Sequence, residues 1–262
     1  MGLFSGAGMA SLTGAEWALL ALGAFLVGLS KTGVAGLGIL TVVIFASVLP
    51  PKASVGIVLP ILISADVVAV AAFRRHADWG QLVRLFPWAG AGVVLGYFAL
   101  GRINDAQTEK LVGGIVLAMV VLHFARQRNL ARRPAPEEDV PLPPAALWFV
   151  AGMGLLAGFT TMVANAAGPV MILYLLAVRL PKMAFIGTSA WYFLCLNLFK
   201  VPFSVSLGLI NPAALGFSLV LAPFAVGGAL FGRAVVRHIP QKLFENVALV
   251  LSVLTGLRLL LK

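Results

Sequence analysis

Gly28-Leu29-Ser30-Lys31-Thr32-Gly33-Val34-Ala35-Gly36-Leu37-Gly38 interrupts an apolar run that extends from about Ala15 to Leu49. The run is longer than one helix needs to cross a hydrocarbon core roughly 30 Å thick, so its glycines and lysine mark a break. We read the break as the tip of a hairpin. When the sequence is displaced so that Pro51-Lys52 falls on Pro181-Lys182, the window lands on Gly158-Phe159-Thr160-Thr161-Met162-Val163-Ala164-Asn165-Ala166-Ala167-Gly168-Pro169. This is again a stretch of small and polar residues inside an apolar run, so one device occurs twice.

Composition fixes the solvent. Of the 262 residues, 61% are hydrophobic and 11% charged, with a mean hydropathy of +1.03. A water-facing surface needs far more charge, so the chain is an integral membrane protein. Apolar segments of helical length recur from end to end without the alternation of barrel strands, which predicts a helical bundle. The net charge of +10 would suggest nucleic acid in a soluble protein. Here most of the basic residues fall in a few short loops, as the positive-inside rule expects, and no nucleic-acid partner is expected. Residues 1–14 carry neither Lys nor Arg and no small-residue cleavage site, so no signal peptide is expected. The single cysteine, Cys195, lies among apolar neighbours and reads as a packing residue.

The first half offers apolar segments near 15–30, 34–49, 53–73, 82–101 and 109–125, and the second near 145–159, 165–179, 184–208, 213–232 and 243–261. Between them lies a proline-rich polar stretch with Arg126, Arg128, Arg132, Arg133, Glu137, Glu138 and Asp139. The expected division is a transmembrane repeat over 1–125, a cytoplasmic linker over 126–144 and a second repeat over 145–262. The first two segments of each half are short, about 22–24 Å at 1.5 Å per residue. Each pair is either a re-entrant hairpin or two short spans, and in both cases the chain returns to the side it came from.

The basic residues test that parity. One side collects Arg74, Arg75, Arg84, the four linker arginines, Arg179, Lys182, Arg233, Arg237 and Lys242. The other receives Lys52, Arg102, Lys110, Arg258 and Lys262. The richer side is expected to be the cytoplasm, which leaves both termini in the periplasm. Two like halves with five segments each must then be inverted relative to one another. The expected fold is an all-α polytopic membrane protein of two inverted repeats, each a broken or re-entrant helical hairpin followed by three transmembrane helices. An unbroken helix at each break would instead give four spans per half and parallel repeats, with basic loops on both sides.

Several motifs now stand in order: Lys31-Thr32-Gly33-x-x-Gly36-x-Gly38, Pro60 with Asp66, His76-Ala77-Asp78-Trp79, Thr160-Thr161-Met162 with Asn165-Ala166-Ala167-Gly168-Pro169, and Gly187-Thr188 before Trp191. Together they resemble the TauE/SafE family of sulfite exporters and related permeases, over essentially the whole chain. The resemblance implies transport of sulfite, sulfonates, sulfoacetate or other small organic anions across the bacterial inner membrane. The second break departs from the commoner family pattern, carrying Asn165-Ala166-Ala167-Gly168-Pro169 in place of a second glycine cluster.

Gly33, Gly36 and Gly38 allow unpaired backbone N–H groups to face a ligand at a helix N-terminus, which favours an anion. Lys31 beside them adds a full charge, and Lys31, Thr32, Gly33 and Gly36 are the expected oxyanion seat. The plainer alternative gives the glycines to helix packing and lets Lys31 snorkel. At the other tip Thr160, Thr161 and Asn165 offer neutral donors for anion oxygens, or else satisfy backbone groups freed by the break. Asp66 lies deep in its segment and is the candidate for proton or other ion coupling, or a structural ion-pair partner of Lys31. Asn197 falls at the corresponding depth in the second half. Lys200 is a secondary candidate, read as lying toward the outer face, where it attracts anions or snorkels. Trp191 and Tyr192 line the path or serve as packing and interface anchors.

No nucleotide-binding loop, zinc pattern or catalytic triad is present, and the glycine-rich stretches follow no strand. The expectation is a transporter, not an enzyme, with no cofactor or metal. Its partners are an anion substrate, the bilayer and a coupling ion such as the proton; a homo-oligomer is compatible with the sequence. The competing readings are a channel-like anion conduit and a membrane assembly partner that transports nothing.

Overall fold

The computed structural model describes residues 12–32, 37–104, 106–108, 110–115, 117, 118, 121, 125, 147–178 and 180–235. The regular structure among these residues is helical: α1 (Gly14–Lys31), α2 (Leu37–Val48), α3 (Pro51–Phe73), a 3-10 turn (Arg74–His76), α4 (Trp79–Arg102), α5 (Leu147–Ala164), α6 (Gly168–Ala177), α7 (Lys182–Ser206) and α8 (Pro212–Val235). Six of these helices, α1, α3, α4, α5, α7 and α8, are long and apolar enough to cross a bilayer. The chain is a multi-pass membrane protein. The expected segments 126–144 and 243–261 lie outside the described residues, as does much of 109–125.

Helix starts follow local chemistry. Thr13 caps α1 in a reciprocal box with Glu16: the Glu16 amide donates to Thr13 Oγ1 and the Thr13 amide to Glu16 Oε2 at 2.8 Å. Asp78 caps α4 by accepting from the Gln81 amide at 3.1 Å. Pro50-Pro51 and Pro181 open α3 and α7, where a missing N–H costs nothing.

The first break folds as an antiparallel pair. Leu26 and Leu29 of α1 pack with Leu37, Leu40 and Ile44 of α2, and a Cβ at Gly23 would press on Ile44 and Phe45. The second pair turns at Asn165, which adopts a left-handed φ of 54°; its amide donates to the Thr161 carbonyl at 3.0 Å and the Ala166 amide to that of Thr160 at 3.2 Å. The arms are unequal, where two short segments of similar length were expected. α1 and α5 have 18 residues each, while α2 and α6 have 12 and 10, about 18 and 15 Å of rise. The breaks also start later than their glycines suggest, because Gly28 and Gly158 both sit inside helices.

Those two glycines have a packing role. A Cβ at Gly28 would meet the Ala225 carbonyl of α8, and one at Gly158 the Ala89 carbonyl of α4. The facing glycines repeat the relation: Gly228 abuts the Phe25 carbonyl, and Gly92 that of Leu155. One turn further, Gly232 meets Leu29 and Thr32, and Gly96 meets Phe159 and Met162. Small residues of this kind let helices approach closely in lipid. The two most extensive helix pairings, α4 on α5 and α8 on α1, are thus the same seam made twice, each half lending its fourth helix to the first helix of the other. α3 and α7 pack together between the seams.

Candidate functional site

Asp66 and Asn197 meet where α3 and α7 pack. Each lies fifteen residues after the first residue of its helix, Pro51 or Lys182, and both are buried. Asn197 Nδ2 donates to Asp66 Oδ2 at 2.7 Å. The other carboxylate oxygen, Oδ1, lies 2.9 Å from Lys31 Nζ, with the Lys31 side chain 9% exposed and that of Asp66 fully buried. Lys31 is the last residue of α1, so the ammonium stands at the tip of the first hairpin arm. Its Nζ also lies over the Phe193 ring, 3.9 Å from the centroid.

Lys200 follows Asn197 by three residues and is fully buried. Its ammonium donates to Asn165 Oδ1 at 2.6 Å, to Thr161 Oγ1 at 3.2 Å and more weakly to Asn197 Oδ1 at 3.5 Å. Lys200 therefore does not snorkel to an outer face. Three oxygens satisfy it inside the bundle. Asn165 Nδ2 in turn donates to the Val55 carbonyl of α3 at 3.1 Å, fastening the second break to the first half. One polar chain runs from Lys31 through Asp66, Asn197 and Lys200 to Asn165 and Thr161. Among the described residues it contains two ammonium groups and one carboxylate.

A cavity of about 110 Å³ opens beside this chain. A single water needs about 10–15 Å³ of such space, so a small multi-atom ion fits. Lys31, Thr161, Asn165 and Asn197 form its polar wall together with Ser30, Thr41 and Ser189. Leu62, Ile172, Phe185, Ile186 and Phe193 form the apolar part, and Gly38 and Gly168 contribute backbone from the starts of α2 and α6. Both breaks and both central helices thus contribute to one space.

The expected site residues divide. Lys31, Thr161, Asn165 and Asn197 line the cavity, while Asp66 and Lys200 hold those lining groups. Thr160 donates its hydroxyl back to the Leu156 carbonyl at 2.8 Å, and Thr32 to that of Gly28 at 3.4 Å. Gly33 and Gly36 lie outside the described residues, as do the amides that would complete an oxyanion seat. Trp191 sits apart from the cavity wall, its Nε1 donating to the Arg74 carbonyl at 3.4 Å and its ring 5.2 Å from that of Trp79. Tyr192 is fully buried in the main apolar core.

Sequence reasoning passed over Ser30, Thr41, Ser189 and Phe193. A signal for two of them was present: Ser189, Phe193 and Asn197 recur every four residues, with Lys200 three further on, which places them on one face of α7. Ser30 and Thr41 donate to the Val27 and Gly38 carbonyls of their own helices at 2.7 and 2.8 Å, a local habit with no outward sign of the cavity.

No group of three His, Cys, Asp or Glu residues able to hold a metal occurs among the described residues. Neither the curated proteins nor the solved structures gave a match to the chain. The model of the family described as Sulfite exporter TauE/SafE matches residues 19–259. That match covers both breaks, both glycine seams and every residue of the polar chain, and the protein belongs to the sulfite exporter TauE/SafE family of membrane transporters.

Proposed function

We propose that the chain is a secondary transporter of a small sulfur-containing or organic anion, such as sulfite, a sulfonate or sulfoacetate, working by alternating access between two inverted halves in the bacterial inner membrane, with both termini in the periplasm. The observation that carries the reading is the Lys31–Asp66 ion pair at 2.9 Å in the wall of a cavity that both breaks line. Charge buried at this depth is costly and is retained where it works on an ion. An anion entering the cavity competes with Asp66 for Lys31, while Thr161 and Asn165 add uncharged hydrogen-bonding groups. Asp66, once released, is the group that takes up a proton or another coupling ion. The seams of α1 with α8 and of α5 with α4 supply two rigid bodies, and α3 with α7 the contact between them.

Counterflow of labelled sulfite and sulfonates in proteoliposomes tests this. We expect counterflow in the wild type and its loss in Lys31→Ala and Asp66→Asn. Wild-type behaviour in both variants would remove these residues from the mechanism. Dissipation of an anion gradient without counterflow would point to a conduit instead.

A further inference from the structure

Among the described residues the polar chain contains one more ammonium group than carboxylates, and no carboxylate there contacts the second ammonium. Among the described residues Lys200 touches only neutral oxygens: Thr161 Oγ1, Asn165 Oδ1 and Asn197 Oδ1. The two amides are held in this orientation, because Asn197 Nδ2 donates to Asp66 and Asn165 Nδ2 to the Val55 carbonyl. Both therefore turn oxygens toward Lys200, the arrangement that suits an ammonium with three donors. Asp66 is already paired with Lys31, and Lys200 reaches it only through Asn197. The three residues behind which Lys200 lies, Thr161, Asn165 and Asn197, all line the cavity.

From this we infer that Lys200 sets the charge of the substrate: the site is built for a monoanion, with Lys200 as the residue that selects it. The inference rests on the anion-transport reading above and names the charge class that site takes. With Lys31, Lys200 and Asp66 all ionised, the empty cluster carries one surplus positive charge among the described residues. One monovalent anion makes the loaded site neutral, whereas a divalent anion leaves a net negative charge in a low-dielectric interior where such imbalance is expensive. Lys200 acts without entering the cavity. It polarises the oxygens and hydroxyl around it and holds Asn165 and Thr161 in place, so an anion drawn to Lys31 is compensated from behind the wall.

Methanesulfonate and sulfate test the inference, since they have closely similar shapes and carry one and two negative charges at neutral pH. The readout is calorimetric affinity for the purified full-length protein in detergent. We expect methanesulfonate to bind at least about ten-fold more tightly than sulfate in the wild type. Sulfate also has the larger hydration cost, so the decisive quantity is how the ratio moves. Asp66→Asn adds a unit of positive charge and should move it toward sulfate by about ten-fold, whereas Lys200→Gln removes one, weakens both anions and moves it the other way. Either variant suffices if the other does not fold. A ratio that stays fixed in the folded variants, or equal wild-type affinities, overturns the inference while leaving an anion site intact. Absence of binding by both anions in wild type and Asp66→Asn would overturn the anion reading itself, and this inference with it.

Discussion

The two breaks occupy matching places in the halves and use different chemistry. At the first, the helix ends on a lysine whose ammonium pairs with Asp66 at 2.9 Å. At the second, the position matching Lys31 is Thr161 and the one matching Asp66 is close to Asn197, so the corresponding pair is uncharged. The missing ammonium is supplied from another element, because Lys200 of α7 reaches back to Thr161 and Asn165. The second break turns on a left-handed asparagine. A duplicated frame thus carries an unequal site, charged on one side and neutral on the other, with Asp66 and Asn197 joined at 2.7 Å between them. In a symmetric pair of Lys–Asp sites the charges would cancel. The departure from symmetry leaves the polar chain, among the described residues, with two lysines and one carboxylate.

Four experiments can break or sharpen this comparison. The largest effect is expected from Asp66→Ala, which strands Lys31 and one donor of Asn197 inside the bundle. Removing one partner of a buried pair costs about 3–5 kcal/mol. Thermal unfolding in detergent should show a correspondingly large loss, and a small one would mean that Lys31 finds a second partner or reaches the interface. Next come Gly28→Ala and Gly158→Ala. Each added methyl meets a carbonyl across an equivalent seam, and overpacking of this kind costs about 1–3 kcal/mol. The two losses should be similar. If one variant unfolds and the other is tolerated, the seams are not equivalent.

Asn165 separates backbone from side chain. Asn165→Ala should lose about 1–2 kcal/mol from the left-handed conformation alone, and more from the bonds to Lys200 and Val55. Asn165→Gly should recover the backbone part only, so comparing the two midpoints apportions the second break. Equal midpoints would mean that the turn geometry adds nothing. The smallest change is Phe193→Leu, which removes the ring under Lys31 while keeping an apolar wall. A loss of about 0.5–2 kcal/mol is expected, together with weaker anion binding as Lys31 gains freedom. Unchanged binding would place the hold on Lys31 with Asp66 alone.

The solvent, the approximate extents of α1, α3, α4, α7 and α8, the existence of two breaks and the matching positions of Asp66 and Asn197 along their helices were all legible in the sequence. Hydropathy and repetition are local properties that no tertiary contact can erase. Asp66 could be singled out because a carboxylate within an apolar segment has few ways to be satisfied. The inward face of each helix could not be read in the same way. In a soluble bundle an apolar stripe marks the core, whereas in lipid the outer face is apolar as well, as exposed Leu95, Phe98, Leu219 and Phe224 show. Lys200 was therefore placed by its distance along α7 and not by its rotation, and its burial was missed. Gly28 and Gly158 were assigned to the breaks for a related reason: a glycine that permits a turn and one that admits a neighbouring backbone are the same residue in a sequence.

By itself, then, the sequence determined that this is a helical membrane protein with interrupted segments and a few polar residues inside them. Only the tertiary structure decided which of those residues meet. Apolar segments, prolines and glycine-rich breaks act on the chain around them, but the Lys31–Asp66 pair and the Lys200–Asn165 bond depend on how closely helices remote in sequence approach. The seams of α1 with α8 and of α4 with α5 are closer still, and there a single added carbon would press on a carbonyl of the facing helix.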